Sequence, residues 1–329
     1  MRSILAASFI VFVAGCGVPS FLVTPVQNTN ALQEIAVPTD GASGSSKIAI
    51  LEVEGMLVNS KSGGLLQPTE NSVSLFVQQL RAAADDSKVK AVVLRVNSPG
   101  GTVTASDTMY EELLRFKAKT HKPVVASTQE VAASGAYYIC CAADKIVAHP
   151  TSVVGSIGVI FSTFNFEGTL AKLGATSDAV KSAPLKDMGS PFRTRTAEET
   201  AIMQSMVDEY FLRFEGVVAS HRPVKEQPPA IPVERTYRGI YSGRVYSGAR
   251  AVELGLADQT GLLEDAIALA RELSHSPTAR VIQYKRPFGY RGSIYASEDV
   301  PPPQANSFNV NIPSLKDVLP TGFYYLWQP

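Results

Sequence analysis

The stretch AVVLRVNSPGG (91–101) constrains this chain more than any other. It is rich in valine and too apolar for a strand with one wet face, so it reads as a parallel strand buried on both sides. The run ends at Ser98-Pro99-Gly100-Gly101, where the chain reverses and glycine lets another backbone approach bare N–H groups. The neighbouring segments fit the same architecture. KIAILEVE (47–54) and KPVVAST (122–128) are further strands. Residues 71–85 carry Val73, Phe76, Val77 and Leu80 on one helical face, and a helix from about Thr104 turns Met109, Leu113, Leu114 and Phe116 inward. Strand–helix–strand repetition at this spacing predicts an α/β fold with right-handed crossovers, whose ligands gather at the carboxyl ends of the strands.

The next segment, VAASGAYYICCAADKI (131–146), places Ser134 between small residues at the start of a helical stretch. N–H groups and the helix dipole favour negative charge there. Strand, sharp turn and serine on a helix are the parts an acyl-transfer site needs. A serine so placed can also be only a helix cap, and the local features leave both readings open. Lys145–Ala148 is a short strand, and SVVGSIGVIF (152–161) is another, interrupted at Gly155 and Gly158 with Ser156 between them. Alone, Ser156 reads as a strand hydroxyl bonded to a nearby carbonyl. A short helix and a strand at 176–182 lead into SAPLKDMGSPFRT (182–194), a loop by its prolines and glycine, which holds Lys186. A lone loop lysine reads as a solvated charge.

Thr196-Ala-Glu-Glu199 is a capping box opening a long helix with Ile202, Met206, Tyr210, Phe214 and Val218 on one face. Two more helices follow within 243–272. Beyond Pro287 the composition shifts to Pro, Ser, Asn and aromatics without a helical period. The last stretch, GFYYLWQP, is too apolar for a solvated end and is expected to dock on something.

Met1-Arg2, an apolar segment from Ile4 to Val13 and the junction Ala14-Gly15-Cys16 make a secretory leader too short to span a bilayer. The junction resembles the lipobox of bacterial lipoproteins, whose cysteine becomes the lipid-modified first residue. The expected organisation is a signal peptide (1–15), a lipid-anchored tether (16–46), a folded core (47–287) and a Pro/aromatic-rich tail (288–329). The plainer alternative is an ordinary leader whose junction happens to hold a cysteine. Thirty basic against thirty acidic side chains argue against a nucleic-acid partner held by phosphate neutralisation. Cys140 and Cys141, adjacent in an apolar helix, read as small buried hydrophobes. The four histidines are scattered without ligand spacing, so no metal and no cofactor are expected.

Ser134, the NSPGG turn, the GSIG strand, the LKDMGS loop and the block GRVYSGARAVELGLAD together resemble the signal peptide peptidase A (protease IV) family of Ser–Lys peptidases. The single-core form matches best, over roughly Lys47 to Ile282. The resemblance implies a Clp/crotonase-like fold of repeated β-β-α units, with one catalytic core and a helical C-terminal part. It implies a serine endopeptidase acting on extended apolar peptides such as cleaved signal peptides. In that scheme Ser134 is the nucleophile, Lys186 the general base and Ser156 the group that orients the lysine. The amides of Gly101 and Gly135 form the oxyanion hole, and Cys16 carries the lipid. It also implies a ring-shaped homo-oligomer with sites shared between protomers, lipid-anchored in a bacterial envelope outside the cytoplasm.

A lysine base must be neutral to act, which asks its pKa to fall from about 10.4 to about 7–8, or about 4 kcal/mol. Desolvation can supply a shift of that size, whereas a carboxylate beside the ammonium would oppose it. Asp187 is therefore expected to point away from Lys186. The related Clp proteases carry a catalytic histidine downstream of their serine; the corresponding neighbourhood, around Val159, has none. Crotonases need an acyl-CoA site and usually stay in the cytoplasm, against which the leader argues. The remaining alternative is an inactive lipid-anchored scaffold of the same fold, against which retention of both Ser134 and Lys186 speaks.

Overall fold

Apolar residues at every second position of the central strands set the layering of the computed structural model, which describes residues 31–60, 71–224, 239–286 and 322–327. The leader, Cys16 and most of the tail lie outside the described residues. In chain order the elements are β1 (Gln33–Val37), β2 (Lys47–Glu54), α1 (Ser72–Asp85), β3 (Val89–Ser98), β4 (Gly100–Thr102), α2 (Val103–Thr120) and β5 (Val124–Ala133). They continue as α3 (Gly135–Cys140), β6 (Lys145–Ala148), β7 (Val153–Gly155), β8 (Ile160–Ser162), α4 (Glu167–Lys172), a 3₁₀ turn (Pro184–Asp187) and α5 (Ala197–His221). After a 3₁₀ turn at Gly239–Tyr241 come β9 (Val245–Ser247), α6 (Gly248–Leu254), β10 (Gln259–Thr260), α7 (Leu263–Leu273), β11 (Arg280–Lys285) and β12 (Gly322–Leu326).

The main sheet runs β1-β11-β2-β3-β5-β6-β10, with β7 beside the end of β5 and β9 beside β7. Its pairings are parallel except β1 on β11 and β9 on β7. Helices cover both faces, which is what a valine-rich parallel strand requires. On one face Leu51, Val53, Leu94 and Val96 pack with Phe76 of α1, Leu113 of α2 and the buried α3. On the other, Ile48, Ile50, Ala91 and Val93 meet Leu263, Ile267 and Ala270 of α7. Each such valine, leucine or isoleucine contributes about 1.5–3 kcal/mol by leaving water. The fold is the α/β class expected, with a parallel-dominated sheet. Asn71 caps α1 by accepting from Ser74 N at 3.0 Å, Thr102 caps α2, and Thr196 with Glu199 closes the capping box of α5.

Four readings of the sequence need correction. Residues 33–37, assigned to the tether, form edge strand β1, with Val37 buried against the core. The strand expected at 176–182 is absent; those residues are exposed, and no strand among the described residues pairs with them. In α5 the buried stripe is Met203, Phe211, Phe214, Val217 and Val218, rotated about one residue from the expected face, with Tyr210 left half-buried. Finally, part of the tail belongs to the folded body: β12 forms the middle of a small antiparallel sheet, β4-β12-β8. The docking expected for GFYYLWQP is thus an intramolecular strand.

Candidate active site

β5 pairs with β3, β6 and β7 and keeps its ladder to its last residue, where Ala133 lies opposite Gly155. The chain then turns at one residue, Ser134, with φ 53° and ψ −116°. A non-glycine residue held there costs about 1–3 kcal/mol and persists only where its surroundings hold it. They do: Ser134 N–H donates to Gly155 O at 2.7 Å, and its carbonyl accepts from Tyr138 N at 2.9 Å. Ser134 occupies the N-cap position of α3, yet its hydroxyl makes no cap bond. The cap reading fails, and a buried hydroxyl (1 % exposed) is left for other work.

The glycine turn is built around it. Ser98 Oγ donates to Gly55 O at 2.6 Å and accepts from Gly100 N at 3.1 Å, which locks the start of the turn. Leu57 N donates to Gly100 O and Thr102 N donates to Leu57 O, each at 2.9 Å. Strand alternation then turns the N–H and C=O of Gly101 the opposite way, toward Tyr325 of β12, its register partner. Gly100 has φ +100°, and a Cβ there would overlap the Tyr325 carbonyl oxygen and stand 2.7 Å from Gly135 N. A Cβ on Gly135 would lie 3.0 Å from that same oxygen. Both expected donors, Gly101 and Gly135, thus border the space taken by one carbonyl, with Gly100 as its floor. In the sequence Ser98 and Gly100 read only as part of the chain-reversing turn, without a role in the site, whereas Leu57 is brought in only by the fold.

Ser156 also has positive φ (53°), and its N–H donates to Arg244 O at 2.8 Å. It follows Gly155, the residue that holds the Ser134 amide. It lines a cavity of about 540 Å³ with Ile157, Phe211, Tyr241, Leu326 and Trp327.

Lys186 is exposed on the 3₁₀ turn, and its ammonium makes no hydrogen bond or ion pair among the described residues. The segment around it is open: α4 buries none of its residues, and Leu173 and Val180 are 75 % and 106 % exposed. Asp187 behaves as expected. Its carboxylate takes Arg193 Nη2 at 2.7 Å, Arg193 Nε at 2.9 Å and Lys181 Nζ at 2.9 Å. Those hydrogen bonds hold it well below the usual carboxylate range. Arg193 also bonds Glu199, tying the turn to the start of α5. The structure therefore brings Ser134, Ser156, Gly101 and Gly135 together, and Lys186 makes no side-chain hydrogen bond to any of them. Among the described residues no group of three His, Cys, Asp or Glu side chains could hold a metal ion.

Comparison with known proteins bears on this arrangement directly. The profile of Peptidase family S49 matches residues 116–276, and that of Clp protease matches residues 49–154. A putative signal peptide peptidase SppA of Enterococcus faecium is 37% identical over 246 residues, 75% of this chain and 69% of that protein. Protease 4 of Salmonella typhi is 37% identical over 227 residues, 69% of this chain but 34% of that longer protein. A chloroplastic serine protease SPPA of Arabidopsis thaliana is 30% identical over 249 residues, 74% of this chain and 35% of that protein. The matched regions carry the strained serine and the glycine turn alike, and the chain belongs to peptidase family S49: a serine peptidase on a Clp/crotonase-like α/β fold.

Proposed function

We propose that the chain is a Ser–Lys endopeptidase whose two catalytic side chains come from different copies in a ring. Tethered through Cys16 to a membrane face outside the cytoplasm, it hydrolyses extended apolar peptides such as cleaved signal peptides. Ser134 Oγ attacks the scissile carbonyl and passes its proton to neutral Lys186 Nζ of a neighbouring copy. The developing oxyanion is met by the Gly101 and Gly135 amides, donors already in place before charge forms. The protonated lysine then gives its proton to the leaving amine, and water, deprotonated by the same lysine, hydrolyses the acyl-serine. Ser156 orients the amine by hydrogen bonding.

One observation carries the reading. Ser134 is buried and poised, whereas Lys186 stands on an exposed arm with no partner of its own among the described residues. Leu173, Val180 and Phe192 on that arm are exposed apolar side chains that a second copy would cover. Arg193 keeps the Asp187 charge engaged elsewhere.

Mixing subunits tests this. Ser134→Ala and Lys186→Ala preparations are each expected to be inactive on a fluorogenic peptide and to regain activity in mixed assemblies. Verified mixed assemblies that stay inactive would refute the shared site.

A further inference from the structure

We infer that Ser106 is a positioning residue for the oxyanion hole: its side chain sets how closely α3 approaches the glycine turn, and so fixes the spacing of the Gly101 and Gly135 amides. The inference rests on the reading of Ser134 as the nucleophile with those two amides as donors.

Each donor is aimed by a bond on the opposite side of its own peptide, since a trans peptide points its N–H away from its C=O. Leu57 N donates to Gly100 O at 2.9 Å, which sends the Gly101 N–H the other way. Tyr138 N donates to Ser134 O at 2.9 Å, which does the same for the Gly135 N–H. These bonds fix two directions. They do not fix a distance, because one donor belongs to β4 and the other to α3.

Where the two elements meet, Ser106 is the stop. It lies fully buried in the first turn of α2. Its hydroxyl donates to Thr102 O at 3.0 Å, so Oγ is held by the residue that directly follows Gly101. Thr102 is held in turn, its N–H donating to Leu57 O at 2.9 Å. From that anchored position the side chain faces the α-carbon of Gly135. A Cβ on Gly135 would lie 2.2 Å from Ser106 Oγ and 3.1 Å from Ser106 Cβ. The Gly135 nitrogen meets Gly100 just as closely, 2.7 Å from where a Cβ on that residue would stand. Gly135 is therefore seated against the turn at one atom and against Ser106 at the next. One residue-turn further on, the two helices are pinned together. Tyr138 Oη donates to Asp107 Oδ1 at 2.7 Å, and its ring meets Tyr110 edge-on with centroids 5.0 Å apart. A bulkier side chain at 106 would pry the Gly135 end of α3 off the turn while the Tyr138 end stays in place. Helix stability alone would favour alanine here, because a serine bonded back to the carbonyl four residues earlier slightly destabilises and bends a helix.

A double-mutant cycle tests the contact. Gly135→Ala places a methyl carbon 2.2 Å from Ser106 Oγ. A carbon–oxygen contact settles near about 3.3 Å, so Gly135 must shift by about 1 Å, a displacement that costs about 100-fold at a reacting centre. In a Ser106→Gly background both crowding atoms are gone, and the same change should cost less than about tenfold. The remaining cost comes from the carbonyl oxygen in the seat, 3.0 Å from the new methyl. The loss should fall on kcat, with KM little changed. A peptide aldehyde, whose adduct with Ser134 carries an oxyanion, should weaken in step with kcat, while the matching peptide amide binds as before. A merely structural contact would move the melting temperature alone. If Gly135→Ala does not fold, Ser106→Val presses on the same contact from the other side, with about a tenfold loss in kcat expected. A Gly135→Ala penalty equal with serine or glycine at 106, or a folded Ser106→Val enzyme with wild-type kcat, would overturn the inference. Labelling of wild-type Ser134 by a serine-directed phosphonate tells the two levels apart. With labelling intact, those outcomes overturn this inference alone. A folded wild-type chain that does not label would overturn the reading of the site, and this inference with it.

Discussion

Gly100→Ala isolates the carbonyl seat from the rest of the fold. The residue sits at φ +100°, so any side chain adds backbone strain of about 1–3 kcal/mol. The larger effect is local. The new methyl group would overlap the position of the Tyr325 carbonyl oxygen and stand 2.7 Å from Gly135 N. A carbon–oxygen contact settles near 3.3 Å, so a carbonyl bound there must retreat by about 1 Å. A displacement of about that size at a reacting centre costs about 100-fold, and loss of one oxyanion donor costs about 100- to 1,000-fold, or about 2.7–4 kcal/mol. The variant should therefore lose about two to three orders of magnitude in kcat/KM on a short peptide, while thermal unfolding shows a chain still folded. Gly101→Ala is the control. Its Cβ would run into the Leu57 backbone, so that variant should fail in folding first. A folded Gly100→Ala enzyme within threefold of wild type would refute the assignment of the seat.

Two further outcomes follow from buried groups. The pKa of His221, whose Nε2 lies 2.7 Å from the Tyr110 hydroxyl, is lowered by burial and by Lys117 and Arg222. Between that lowered value and about 6.5 the unfolded chain binds more protons than the folded one, so this contribution to stability is complete above about pH 6.5 and falls on acidification. The melting temperature of wild type should drop more than that of His221→Gln between pH 7.5 and 5.5, and parallel curves would refute the account. Burial likewise raises both thiols, Cys141 to about 12 and Cys140 further still. Neither should react with iodoacetamide at pH 8 until the chain unfolds, since the thiolate is the nucleophile; alkylation at the native rate of an exposed thiol would contradict their placement.

The sequence revealed what local pattern and topology determine together. Near-continuous aliphatic runs in 47–54 and 91–98 forced a parallel sheet covered on both faces, and that sheet carried Ser134 to a strand end beside the glycine turn. Pairings between distant segments were harder to see. Gln33, Ile35 and Val37 alternate inward in β1, a signal hidden by the surrounding Pro, Gly and Ser. β12 consists of strand-favouring aromatics, but its partners lie more than 150 residues away, and nothing in the sequence names them. Conversely, 176–182 read as a strand and is not one here, because strand propensity has little force without a neighbour to complete the ladder. Lys186 was legible only through family resemblance, since an exposed loop lysine carries no mark of its chemistry.

The fork of Arg193, gripping Asp187 with one edge and Glu199 with the other, has a consequence for encounters between molecules. It joins the lysine turn to a helix whose first residues are already capped, so the turn has its shape in the single chain. Under the proposed shared site, a second copy arriving at this surface would meet a template, not a segment that must fold on contact. Little ordering entropy would then oppose the meeting, and a modest contact area could suffice to hold it.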